Sequence, residues 1–453
     1  MFKKIEIWIL YLVILLGILG TIFFGVLVRQ ELVGGIKAGW VSKAALTITQ
    51  TTLDLIKYFK KYDFVTVDRF PGLDEFNGTP NNNESYLLLS IIDGDINEGV
   101  VKLIDLTNFE VLHVWNPDID AFNNIVNQVN EFKYLDRDSN DSRVAIGHPK
   151  LVKDGGLIFQ TDAPLRKIDA CSKLIFQNSD DKFHHSLETD NDGNIWIPSR
   201  IYPQSLPIKK VGRNIREERG FDDDAIAKLS GNGEMLYEKS VAQIFIENGL
   251  EYLIFSVNGS SNFLADPIHL NDIQPVNFDG NYWKKGDVFL SLRSQSMVIL
   301  YRPSTNKIIW KGTGPFFHQH DVNILDEHRI SIFNNNSKNF ADGEYVDGNN
   351  EVIIYDFKTD KYSLYLNDAL AENEVRTVTQ GRSKILPNGD LFVEESNYAR
   401  TLYFNSDGSL RWTHVNRADN GNLHVLGWSR ILYTDDDIKI VKNFIENRGT
   451  CNE

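Results

Sequence analysis

Cysteine is scarce: the 453 residues hold two, Cys171 and Cys451. They form no Cys-x-x-Cys pair and no zinc-ligand spacing, which excludes a thiolate-based metal centre. A Cys171–Cys451 bridge would close a long loop and stabilise the fold by roughly 4–5 kcal/mol in the chain-entropy model, and two free thiols fit the sequence equally well. A basic stripe is missing too. With 47 Lys and Arg against 62 Asp and Glu the net charge is −15, so a nucleic-acid partner is excluded, because phosphate backbones are held by clustered cations. Disorder is excluded by composition: 42% hydrophobic and 24% charged residues are ordinary for a chain that buries a large core.

Charge is absent from Ile7 to Val28, IWILYLVILLGILGTIFFGVLV. As a helix this run spans roughly 33 Å at ~1.5 Å per residue, enough to cross a lipid bilayer. No small-residue cleavage site interrupts it before Arg29, which favours an uncleaved anchor over a signal peptide. Lys3 and Lys4 precede it and place the N-terminus in the cytoplasm, with the body periplasmic or otherwise extracytoplasmic. Residues 1–30 are therefore expected to be a transmembrane anchor. Residues 31–80 are expected to be a helical stalk and linker, since 41–61 (VSKAALTITQTTLDLIKYFKK) space their apolar side chains at helical intervals.

From about residue 85 the texture changes to strands broken by Asp-Gly and Asn-rich turns. A strand, a polar turn and a second strand recur at 103–115, 167–176, 228–237, 300–310, 354–365 and 402–412. Upstream of most of these lies a turn and a strand: KDGGLIFQ, NDGNIWIP, KKGDVFLS, DEHRISIF and PNGDLFVE. Two hairpins make a four-stranded sheet that cannot bury both faces alone. Six such sheets in series predict an all-β fold, a six-bladed β-propeller over residues 81–440, with 441–453 as a C-terminal tail. The segment HVLGWSRILYT (424–434) is expected to complete the first blade.

Counting ten residues back from Ile330, Ile195 and Ile158 reaches His320, His185 and His148. His269 precedes a longer connection to its strand. Equivalent positions of inner propeller strands converge, so these imidazoles are expected at one place. Arg293 stands five residues after Val288, and Arg200 five after Ile195. Guanidinium forks suit an oxyanion, and Asn271, two residues after His269, adds amide donors on the same strand face.

These motifs, Asp266-Pro-Ile-His269-Leu-Asn271, Ser291-Leu-Arg293-Ser-Gln-Ser296 and Gln319-His320-Asp321, preceded by the pair His184-His185, resemble the arylsulfate sulfotransferase family over roughly residues 140–435. The resemblance implies a six-bladed propeller outside the cytoplasm that moves a sulfuryl group from an aryl sulfate to a phenolic acceptor. It implies a sulfohistidine intermediate, no adenosine phosphosulfate and no other cofactor. His320 is then the nucleophile, His269, Asn271 and Arg293 bind the sulfuryl oxygens, and His185 is a further catalytic imidazole, with Arg200 and His184 near the substrate. Ser186 stands where the family often has Asp, so the carboxylate that would orient the histidine pair is missing. Register alone prefers His185 to His184 for the channel. The sixth blade offers only Arg382 and Ser383.

Two other classes compete for the same residues. Three imidazoles can bind zinc or copper, although an arginine beside a metal cation is unfavourable. A propeller can also be a non-catalytic, membrane-tethered scaffold. Asp190-Asn-Asp192-Gly-Asn194 resembles part of a calcium loop but lacks the distal Glu, and reads as a hairpin turn. His113, His328, His414 and His424 fall outside the shared register and read as structural.

Overall fold

A computed structural model describes residues 6–32, 38–59, 64–206, 221–255, 266–340 and 343–447. The described residues up to Phe59 form one compact unit, and the β-rich body that starts at Phe64 forms another. In the first unit, helix α1 (Ile7–Leu32) exposes apolar side chains around most of its circumference, Trp8, Leu15 and Phe23 among them. Helix α1 is long and apolar enough to cross a membrane. Helix α2 (Trp40–Phe59) packs against it: Leu27 and Ala45 are buried, and the Ser42 hydroxyl donates to Glu31 Oε2 at 2.9 Å.

The body is an all-β, propeller-like fold of antiparallel sheets taken in chain order. The first sheet is Tyr86–Asp93, Glu98–Asp105 and Glu110–Trp115, with Arg430–Leu432 from the far end of the chain paired to Tyr86–Leu88. The segment 424–434 thus completes the first sheet as expected. The second sheet has eight strands, from Gly147–Leu151 to Met235–Ser240. It is continuous because Leu174–Phe183 runs on past its hairpin and its end pairs with Ser199 and Arg200 of strand Ile195–Arg200. The third sheet is Leu270–Pro275, Val288–Leu292, Met297–Arg302 and Lys307–Gly312. The fourth is Val322–Ile324, Arg329–Asn334, Glu351–Asp356 and Lys361–Tyr365. The fifth is Arg382–Ile385, Leu391–Glu395, Arg400–Phe404 and Leu410–Val415, with Glu75–Gly78 added outside.

Middle strands are buried without a break because both faces are covered. Val288, Phe289, Leu290 and Leu292 are all buried, whereas the outer strand Lys307–Gly312 alternates. Phe289, Val298 and Leu300 of the third sheet pack on Ile330, Ile332 and Ile353 of the fourth, each buried side chain contributing about 1.5–3 kcal/mol.

Polar bonds staple the sheets at their inner ends. His148 Nδ1 accepts the Leu187 N–H at 3.0 Å, Asp224 Oδ2 that of Leu270 at 2.6 Å and Asp272 Oδ2 that of Val322 at 2.8 Å. Asp321 Oδ2 takes the Ser383 N–H at 3.1 Å, and Glu394 takes those of Trp428 and Ser429 at 2.9 and 2.6 Å.

Two expected boundaries move. Residues 75–78 are not linker, since Glu75–Gly78 pairs with Trp412–Val415. Residues 441–447 are not tail: they belong to a helix, Asp435–Asn447, whose Val441 and Phe444 are buried, Phe444 stacked on Trp115 at 5.5 Å. Amphipathic spacing gave that helix a face to bury. Cys451, and with it the Cys171–Cys451 pairing, lies outside the described residues. The Asp190–Asn194 segment is a hairpin turn: Asp190 Oδ1 accepts the Asp192 and Asn194 N–H groups, and Gly193 takes φ +79.

Candidate functional site

The inner strands meet at a cluster of imidazoles. The His185 ring lies 5.2 Å from that of His269, 6.3 Å from that of His320 and 5.0 Å from that of His184. Trp428, from the turn into the closing strand, lies 6.0 Å from His185 and 6.1 Å from His320.

The register that gathers them differs from the one counted in sequence. Pro198, Phe333 and Glu394 each stand three residues after Ile195, Ile330 and Leu391. Opposite them are His184, whose N–H donates to Pro198 O at 3.1 Å, His320, whose N–H donates to Phe333 O at 3.1 Å, and Arg382, paired with Glu394. His184 is thus the backbone equivalent of His320. His185 reaches the cluster because it takes a left-handed φ of 56°, which turns its ring to the other side of the chain. Left-handed residues at His148, His269 and His318, with bulges at Gly147/Lys150 and Leu270/Asp272, absorb residues that fixed counting cannot see. His148 is correspondingly displaced. It is fully buried, its Nδ1 serves the Leu187 staple and its Nε2 meets the Arg382 guanidinium.

His320 is 1% exposed and held at both nitrogens. Asn335 Nδ2 donates to the carbonyls of Thr377 and Gln380, so its Oδ1 must accept, and it takes the His320 Nδ1–H at 2.6 Å. The Gln380 N–H donates to His320 Nε2 at 3.0 Å. Burial pushes His320 well below its ordinary pKa, with the charges of Arg293 and His269 adding to the effect, so the ring is neutral near pH 7. Burial and the neighbouring histidines do the same to His185. His269 Nδ1 is hydrogen-bonded to Asp266 Oδ2, which leaves Nε2 to face the cluster.

The arginines arrive already paired. Arg293 Nη2 donates to both Glu344 oxygens, at 2.9 and 3.0 Å, while its Nε is buried without a partner. Arg200 lies 3.5 Å from Asp224 and 3.8 Å from Asp162. Asn271 is fully buried; its Nδ2 donates to Gln319 O at 3.1 Å and its Oδ1 has no partner. His318, unassigned from sequence, is half-buried 3.9 Å from Glu344.

Sequence reasoning therefore missed Asp224, Glu344, Asn335, Gln380 and Trp428. Asp266 carried a signal as the first residue of Asp-x-x-His, and Asn335 as the last residue of the Phe333-Asn334-Asn335 strand end that shares in the family resemblance. Glu344 comes from a different sheet from the Arg293 it holds, and Asp224 comes from a strand paired with that of Arg200, with a long stretch of chain between the two. Among the described residues no three His, Cys, Asp or Glu side chains are placed to hold a metal ion.

No curated protein matches the chain. Solved structures with similar backbones include a protein of unknown function from Bacteroides caccae, with 10% identity, TM-score 0.45 and coverage of 77% of this chain and 99% of that one. The WD40 β-propeller domain of Doa1 matches with 11% identity and TM-score 0.38, over 81% of this chain and 99% of its own. The family model described as arylsulfotransferase (ASST) matches residues 148–417, which hold every histidine of the cluster. With more than half of its length matched, the chain belongs to the arylsulfotransferase family.

Proposed function

We propose that the protein is a membrane-anchored, six-bladed propeller that transfers a sulfuryl group from an aryl sulfate to a phenol through a sulfohistidine. Six blades follow if the eight-stranded sheet is two four-stranded blades sharing the pairing of Phe183 with Ser199. In the first displacement His320 Nε2 attacks sulfur, the bond from sulfur to the aryl oxygen breaks, and the aryl group leaves as a phenolate that takes a proton from water. In the second, the acceptor oxygen attacks sulfur and the N–S bond breaks. Arg293 and His269 stand where charge on the sulfuryl oxygens needs donors. The Gln380 N–H must release His320 Nε2 before attack. Both Gln380 and Gly381 have left-handed φ values, 58 and 83°, so a backbone rotation at this turn is the required movement.

The observation that carries this reading is the His185 ring, 5.2 Å from that of His269 and 6.3 Å from that of His320, with neutral rings at His185 and His320, in a chain of this family. A chromogenic aryl sulfate and a phenol, given to the parent and to His320→Asn, test it. Turnover should fall at least ~100-fold, and the sulfuryl mass should appear on the His320 peptide of the parent alone; equal turnover removes His320 as nucleophile. The anchor through residues 7–28 has its own check. Full-length protein should resist alkaline carbonate extraction from membranes with its body on the extracytoplasmic side, and release into the supernatant would overturn it.

A further inference from the structure

His184 looks inward from the site, where three buried polar atoms face one another. His184 Nε2 lies 3.4 Å from Asp224 Oδ1, and Arg200 Nε lies 3.5 Å from the same oxygen. None of the three has another hydrogen-bond partner. The other Asp224 oxygen is taken by the Leu270 N–H at 2.6 Å. On its outer side, His184 Nδ1 is 2.7 Å from His185 Nδ1. One of those two nitrogens carries the proton between them.

The carboxylate decides which. Burial pushes the Asp224 carboxyl up, but His184, Arg200 and the Leu270 N–H together hold it below its ordinary range, so it is ionised. An ionised carboxylate places a proton on His184 Nε2. With its proton on Nε2, His184 accepts at Nδ1, His185 donates from Nδ1, and the lone pair of His185 is left on Nε2. That nitrogen meets no hydrogen-bond partner among the described residues. It belongs to the ring beside His269 and His320, whereas His320 Nε2 is covered by Gln380.

We propose that Asp224, His184 and His185 form a two-imidazole proton relay that is the general base for the acceptor phenol, an assignment that rests on the sulfuryl-transfer reading. His185 Nε2 takes the phenol proton as the phenol oxygen attacks sulfur. The His185 Nδ1 proton passes to His184 Nδ1. The positive charge comes to rest on His184, against Asp224, and His185 is neutral again. The relay resolves a conflict: His185 lies among His184, His269, His320 and Arg200, a poor place for a cation, yet it is well placed to receive a proton. It also supplies from another strand the carboxylate missing at Ser186. His185 touches substrate; Asp224 and His184 are positioning residues.

Asp224→Asn tests the relay in the full-length protein. Its Oδ1 still accepts from Leu270, and its NH2 now donates to His184 Nε2. His184 must then carry its proton on Nδ1, and His185 on Nε2. Nitrogen-15 spectra of the imidazoles are expected to show His185 protonated on Nδ1 in the parent and on Nε2 in Asp224→Asn; a parent with the proton on Nε2, or a variant with no switch, overturns the relay. Kinetics give a second readout with two acceptors, a phenol of pKa about 10 and one already ionised at the assay pH. Asp224→Asn and His184→Gln should lose at least ~100-fold more rate with the first than with the second, and equal losses with both overturn the relay in favour of a structural role. If the parent releases no phenol from any aryl sulfate, the sulfuryl-transfer reading fails, and the spectra still decide the relay.

Discussion

At the scale of single residues, the site is governed by partners that sequence distance conceals. Arg293 was legible as an anion-binding fork, since Ser-Leu-Arg-Ser-Gln-Ser sits at the end of a strand. Its neutralisation was not, because Glu344 comes from the hairpin pair Ser337–Phe340 and Gly343–Val346, far along the chain. A carboxylate on the fork competes with any sulfate ester. Glu344→Gln is therefore expected to lower the KM for an aryl sulfate about fivefold, the equivalent of roughly 1 kcal/mol, in steady-state assays. A raised KM would instead mark Glu344 as the group that holds Arg293 in place.

At the scale of elements, the hairpins were readable and their partners less so. Alternation and turn residues locate strands such as Met297–Arg302, but they do not say that Leu174–Phe183 continues far enough to join two groups of strands. Turns show the same limit. Gly381 reads as a turn residue in Thr-Gln-Gly-Arg, yet only packing reveals that an added Cβ at φ +83 would lie 2.5 Å from Thr377 Cγ2 and 2.9 Å from Glu394 O. That turn carries the Gln380 N–H on His320 and borders the Glu394 staple. Gly381→Ala is expected to cost about 2 kcal/mol or more, measured by denaturant unfolding. A neutral result would show that the turn relaxes easily, as release of His320 requires.

At the scale of the whole molecule, two sets of buried groups bracket the stability optimum. Burial keeps His148, His185 and His320 neutral and lowers His414 to about 3. The unfolded chain protonates such groups near 6.5, so each removes stability as the pH falls below about 6.5, by at most about 1.4 kcal/mol per unit. Carboxyls act from the other side. Burial, with Glu238 and Glu131 nearby, raises Asp181 to about 8, and burial raises Glu131 to about 7. A raised carboxyl contributes stability below its ordinary pKa and loses it as the pH rises through the folded value. Asp181→Asn is accordingly expected to lose less stability than the parent between pH 5 and pH 8, and to be the more stable protein at pH 8, in thermal unfolding compared across pH. Parallel profiles would mean that Asp181 is ionised in the fold.

The apolar N-terminal helix, the run of antiparallel hairpins and the family motifs around His269 and Arg293 follow from the amino-acid order alone. Each is written in local periodicity or spacing, which the backbone obeys wherever it is placed. Three-dimensional packing alone shows that His184 shares the backbone register of His320, that His185 turns into the cluster, and that Asp224 lies 3.4 Å from His184. The physical reason is that left-handed residues and bulges shift register by whole residues at a local cost too small to read from composition. A hydrogen bond between strands records where two segments meet, and neither segment alone contains that information.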